Sequence, residues 1–244
     1  MKGFAAGSLR VSFAGLVLAL SACAHNSPYE PQDPFERINR PIYAFNMTAD
    51  RYVLRPVAKG YVAVVPSPVR TGIANFFDNL FYPTVIVNDL LQGKFLQATR
   101  DTGRFVLNST YGLAGFLDPA TLVGLEKNDE DLGQTLGRWG VGDGWYLMLP
   151  FLGPTTNRDL VGRIGDNWTD PLQYADGISD EERIALMGVN IIDGRSRLLD
   201  FDDVLAQQFD PYVFVRTAYL QRRLNQVYDG NPPPELLEPE LPED

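Results

Sequence analysis

Apolar residues along this chain recur mostly at three- and four-residue steps, the spacing of one face of a helix. Asp33-Pro34 opens the first such stretch, with Asp33 expected as N-cap, Pro34 at the first helical position and Glu36 closing a capping box. Phe35, Ile38, Ile42, Phe45 and Ala49 then line one face, which is expected to be core. Tyr61-Val62-Ala63-Val64-Val65 reads as a short strand or a helix, with helix favoured. The stretch 69–91 is more apolar than a single buried stripe requires, although Pro83 interrupts it. After Gly93, a helix over 94–109 is expected with Phe95, Ala98, Thr102, Phe105 and Val106 on one side. Ser179-Asp180-Glu181-Glu182 is a second capping box, and Asp210-Pro211 opens a last helix whose face holds Leu220, Leu224 and Val227.

The segment 129–165 breaks this rhythm. It is too rich in glycine for one regular helix and reads as turns and short helices. Helix starts outnumber credible strands, so the pattern predicts an all-α fold.

The N-terminus has a different organisation. Lys2 and Arg10 precede an apolar run at 11–20, and Leu20-Ser21-Ala22-Cys23 has the shape of a bacterial lipobox. Residues 1–22 are therefore read as a secretory signal and Cys23 as the site of lipid attachment, since a thiolate is nucleophilic enough to accept a diacylglyceryl group. Cys23 is the only cysteine, so no disulfide can form within one chain. Residues 23–32 read as an acylated, proline-containing tether, 33–228 as one domain, and 229–244 as a disordered acidic tail rich in proline.

Composition, at 45% hydrophobic and 21% charged, suits a single folded domain of this length. The formal charge of −10 becomes about −12 when Lys2 and Arg10 leave with the signal, which argues against a nucleic-acid partner. It also argues against general attraction to anionic headgroups, so membrane attachment falls to acyl chains and apolar surface. No apolar run after the signal reaches the length of a transmembrane helix, and a body that enters a bilayer must do so as amphipathic helices in one leaflet.

Several motifs appear in order: Asn39-Arg40 with Phe45-Asn46, Asn75-Phe76-Phe77-Asp78-Asn79-Leu80, Leu90-Leu91-Gln92-Gly93-Lys94, Arg104-Phe105 with Asn108-Ser109-Thr110, Asp131-Leu132-Gly133-Gln134-Thr135-Leu136-Gly137, Gly140-Val141-Gly142 and Asp210-Pro211-Tyr212. Over about 33–225 the chain resembles the MlaA (VacJ) lipoprotein family, from which it departs at Trp145 and Pro41. The resemblance implies a ring-like helical body in the inner leaflet of the outer membrane, on its periplasmic side, with a central amphipathic channel. It also implies removal of mislocalised phospholipids from the outer leaflet, association with trimeric porins and transfer of lipid to a soluble periplasmic carrier. Ala24 after Cys23 fits an outer-membrane address.

Within this frame, Gly140, Gly142, Gly144, Trp145, Tyr146 and Leu147 are the candidate lining or gate of the passage: flexible backbone beside interfacial aromatics. The competing reading has the glycines permitting turns and the aromatics filling core. Phe45 and Asn46 are candidates for a structural or lipid contact, with a hydrogen bond inside a helix pair favoured for Asn46. Asp129-Glu130-Asp131 is expected as a solvated turn. Catalysis is not expected. The one histidine, His25, lies in the tether, no Cys/His cluster exists, and Glu126, Asp129, Glu130 and Glu182 are only nominal carboxylate candidates. No cofactor is implied beyond the acyl chains on Cys23. The alternative function is a structural lipoprotein that supports porin assembly.

Overall fold

A computed structural model describes residues 33–236. The signal, Cys23, the tether and the end of the tail lie outside the described residues. Helix α1 (Glu36–Ala49) runs through a π-helical turn, Asp50–Leu54, into α2 (Arg55–Val64). Pro56 follows that turn; it has no N–H and would crowd the carbonyl four residues back, which the wider turn accommodates. The turn is fixed from outside, because Arg195 donates to both oxygens of Asp50 at 2.6 and 2.9 Å and to Asp202 at 2.7 Å.

Helix α3 (Ser67–Leu91) has 25 residues, about 37 Å at 1.5 Å per residue, with Pro83 inside it. It packs against α4 (Phe95–Thr110) as a long antiparallel pair. A short α5 (Pro119–Leu122) follows, capped by Asp118. Next come α6 (Leu132–Arg138), capped by Asp131, a hairpin of β1 (Tyr146–Leu149) and β2 (Gly153–Thr156), and α7 (Asn157–Asp166). Helices α8 (Asp180–Ser196), α9 (Asp202–Ala206) and α10 (Pro211–Val227) complete the body. The fold is all-α apart from the one two-stranded sheet, in which Tyr146 pairs with Thr156 and Leu149 with Gly153.

Local signals placed the later helices well. Ser179 accepts from the Glu182 N–H while Glu182 accepts from the Ser179 N–H, a complete capping box, and Asp210 caps α10 through the N–H groups of Tyr212 and Val213. At α1 the expected box does not form. Phe35 occupies the N-cap position without a side-chain bond, and the Asp33 side chain turns inward to Asn39, Tyr212 and Arg216. A buried cation and two further donors outcompete the helix end for that carboxylate.

The second correction concerns how much of the apolar face of α1 is inside. Ile38 and Phe45 of α1 are 58% and 48% exposed, whereas Asn39 is buried. On α4, Phe95 and Val106 point outward, and Asp101, Arg104 and Asn108 are buried beside Ala98. Periodicity finds a two-faced helix; the polar face can turn inward wherever its groups find hydrogen-bond partners. One apolar cluster gathers Tyr146, Met148 and Tyr212, with Ile42, Tyr43, Val213, Val215, Tyr219 and Leu220 packed around them, while Phe77, Tyr82 and Val85 on α3, Leu172 and Val227 are buried elsewhere.

Candidate functional site

Among the described residues, polar and charged side chains outnumber hydrophobic ones in the buried interior, while many large apolar side chains are exposed. The exposed set includes Leu90 and Leu91 on α3, Leu122 and Val123 after α5, Phe151 and Leu152 at the hairpin tip, and Ile184 and Met187 on α8. So much exposed apolar surface is unusual for a soluble monomer and marks a surface made to contact something apolar. No helix of the described residues is long and apolar enough to cross a membrane.

The interior is held by arginines. Arg223 on α10 donates to both oxygens of Asp131 at 2.6 and 2.9 Å and to both oxygens of Asp159 at 2.8 and 3.0 Å. Arg158 also pairs with Asp159 and bonds Asp143 in the glycine-rich loop. Burial pushes the Asp131 and Asp159 carboxyls up, yet the guanidinium groups bonded to them hold both below the ordinary range. Where α6 meets α7, a Cβ on Gly162 would lie 2.4 Å from the Gly133 nitrogen, so the backbones touch and Arg223 spans both helices.

The hairpin is fixed by two asparagines on one face of α1. The Asn39 amide donates to the Tyr146 carbonyl at 3.1 Å and accepts the Met148 N–H at 2.9 Å. Two turns later, Asn46 donates to the Leu149 carbonyl at 2.9 Å and accepts the Phe151 N–H at 2.8 Å. The Asn39 partners are backbone groups of β1 and the Asn46 partners lie at its end and in the turn that follows, so the two asparagines satisfy backbone groups along the hairpin that β2 does not bond. Asn46 thus makes a structural bond, to the hairpin rather than to a second helix. Phe45 packs edge-on against Phe151, with centroids 5.1 Å apart.

The run at 140–147 divides by position. Gly140 has φ +89° and ends α6, its N–H donating to Gly137 and the next N–H to Leu136. Gly144 has φ +69° and packs against Asn157. Gly142 needs neither a left-handed backbone nor a close approach. Trp145 is partly exposed and packs edge-on against Phe35 at 5.2 Å. Tyr146 is fully buried and Leu147 half-buried.

The acidic turn is not solvated throughout. Asp129 is exposed, but Glu130 is 4% exposed and accepts from Lys94 and Gln92, and Asp131 caps α6. Of the other carboxylate candidates, Glu126 is exposed and Glu182 serves the α8 cap. No group of three or more His, Cys, Asp or Glu among the described residues is placed to hold a metal.

The family model for the MlaA lipoproteins matches residues 31–226. This chain belongs to the MlaA lipoprotein family. It is 41% identical over 194 residues to the intermembrane phospholipid transport system lipoprotein MlaA of Escherichia coli K12, covering 78% of this chain and 76% of that protein. The Haemophilus influenzae MlaA is 34% identical over 220 residues, covering 87% and 88%. A solved structure described as a structural basis for maintenance of bacterial outer membrane lipid asymmetry superposes with TM-score 0.72 and 37% identity, covering 82% of this chain and 99% of that one.

Sequence reasoning missed Asn39 and Arg223, which organise the body. Asn39 was visible within the Asn39-Arg40 motif, and its i, i+7 spacing to Asn46 puts both on one helix face. Arg223 had no such signal, because its two acids are 92 and 64 residues away.

Proposed function

We propose that this MlaA-family lipoprotein, anchored by acyl chains on Cys23 at the periplasmic side of the outer membrane, removes mislocalised phospholipids from the outer leaflet and passes them to a soluble periplasmic carrier. The observation that carries this reading is the exposed apolar surface around a polar, hydrogen-bonded interior, in a chain whose relatives are named for intermembrane phospholipid transport. A lipid crossing protein needs apolar wall for its tails and polar surface for its headgroup. In this reading the segment 140–147 lines or gates the passage, Gly142 and Trp145 offer accessible surface, and Tyr146 is its fixed root. Trimeric porins are the proposed partners within the membrane, and no cofactor takes part.

The test is deletion of the gene with a reporter that acts only on surface-exposed phospholipid. Exposure should rise on deletion and be restored by the wild type but not by Cys23→Ala. No rise would overturn the reading. Bulky substitutions at Gly140, Gly142 and Gly144 that leave asymmetry unchanged at normal protein levels would overturn the role of that segment alone.

A further inference from the structure

Two aspartates with no part in the surface or the hairpin are completely buried where α3, α4 and the loop at 126–130 meet. Asp89 and Asp101 are both 0% exposed. The Asn128 side-chain amide donates to Asp89 Oδ1 and to Asp101 Oδ2, each at 3.2 Å. Tyr82 donates to Asp101 Oδ1 at 2.8 Å and accepts the Asn128 N–H at 3.1 Å, while Gln97 donates to Asp101 Oδ2 at 3.0 Å. Asp89 Oδ2 is buried and has no donor among the described residues.

The cations nearby are already engaged. Lys94 pairs with Glu130 at 2.7 Å and Asp229 at 2.5 Å, and Arg104 pairs with Asp118 at 2.7 Å. Glu130, the remaining acid facing the pair from the loop, adds negative charge. Two ionised carboxylates in this place would be an uncompensated buried charge. A proton on Asp89 turns its orphaned oxygen into a donor toward Asp101.

We propose that Asp89 holds a proton that it donates to Asp101, that the pair acts as a latch holding the loop at 126–130, through Asn128, against α3 and α4, and that loss of this proton loosens the loop. The latch is independent of the transport reading. Burial first, then the hydrogen bond and charge of Asp101 and the charge of Glu130, push the Asp89 carboxyl up to about 8, against the opposing charge of Lys94. The sign follows: a group that holds its proton more tightly when closed than when open stabilises closure fully below the ordinary aspartate range. That contribution is lost as pH rises to about 8. The loop borders a groove lined by Phe81, Thr84, Val85, Asp129, Glu130 and Asp166, so its loosening would widen that groove.

Amide hydrogen exchange of the full-length lipoprotein in detergent, corrected for intrinsic rate, tests the latch. Opening of the loop around Asn128 should grow up to about tenfold per pH unit from about pH 5.5 to about pH 7.5 and level off above about pH 8. Asp89→Asn or Asp101→Asn, whichever retains the wild-type helical signal, should flatten that slope. A slope absent from the wild type, or unchanged in the folded variant, overturns the proposal. Infrared spectroscopy of the wild type alone is decisive even if both variants unfold: a protonated-carboxyl carbonyl band should be present at neutral pH and titrate near about 8, and its absence overturns the latch.

Discussion

Asn39 and Asn46 stand two turns apart on α1, and each uses both ends of its amide on the edge of the hairpin. Their settings differ. The Asn39 bonds are buried, whereas the Asn46 bond to Phe151 lies in an exposed position. Asn39→Ala leaves a buried N–H and carbonyl without partners and should cost about 2–4 kcal/mol, while at Asn46→Ala water replaces one partner and the loss should stay near about 1 kcal/mol. Denaturant unfolding in detergent measures both, and equal losses would refute the contrast. The glycines separate similarly: Gly144→Ala forces a side chain into a left-handed conformation at about 1–2 kcal/mol, and Gly142→Ala should fall within about 0.5 kcal/mol of wild type. A lipid-asymmetry defect in Gly142 variants of normal stability would then report on passage rather than folding.

At the scale of elements, Arg223 joins α6, α7 and α10 through the buried Asp159 and the half-buried Asp131. Removing it leaves Asp159 to Arg158 and Tyr219 and Asp131 to its cap bonds, so Arg223→Ala loses charge-assisted hydrogen bonds to both acids and should destabilise by about 2–4 kcal/mol, read as a lower melting temperature. Arg223→Lys should recover little, because an ammonium cannot reproduce the paired fork geometry. Such an arrangement explains what was legible in the sequence. The caps at Ser179 and Asp210 involve residues two or three positions apart, so their chemistry is written locally. The hairpin was not, since its inward alternation is only Tyr146 and Met148 in four residues, embedded among glycines and supported by asparagines more than a hundred positions earlier. Likewise, the apolar face of α1 was legible, but only part of it is core: Ile42 packs inside while Ile38 and Phe45 are exposed and Asn39 is buried, because whether a polar residue can be buried depends on partners elsewhere in the chain. The candidate segment at 140–147 was legible as a unit, but not which of its members are exposed.

Across the whole molecule, the buried and half-buried carboxylates set opposite responses to pH. Asp131 and Asp159 are held below the ordinary range by arginines, so their contribution is present above about 4 and is lost as pH falls through their lowered values. Asp166, pushed up to about 6 by burial despite the Leu132 N–H and Asn88, contributes below the ordinary range and loses that contribution as pH rises through about 6. Melting temperature should therefore fall steeply on acidification below about pH 4, and Arg223→Ala should flatten that acid limb. The exposed apolar surface predicts a second whole-molecule property: protein freed of detergent should self-associate, and sedimentation should show a monodisperse species only when detergent or lipid covers that surface.

Asp33, gripped by Asn39, Tyr212 and Arg216, marks where the body begins to hold its own N-terminal strand of chain. Under the proposed anchoring at Cys23, the ten peptide steps from that residue to Asp33 would allow a radius of action of at most about 35 Å at full extension. The grip would then fix this radius and the point where a pull from the bilayer enters the molecule, at the junction of α1 with α10. Asp33→Ala would release the chain as far as the first turn of α1 and enlarge the radius by about 10 Å, so the same lipid anchor would govern a larger volume with a less defined orientation.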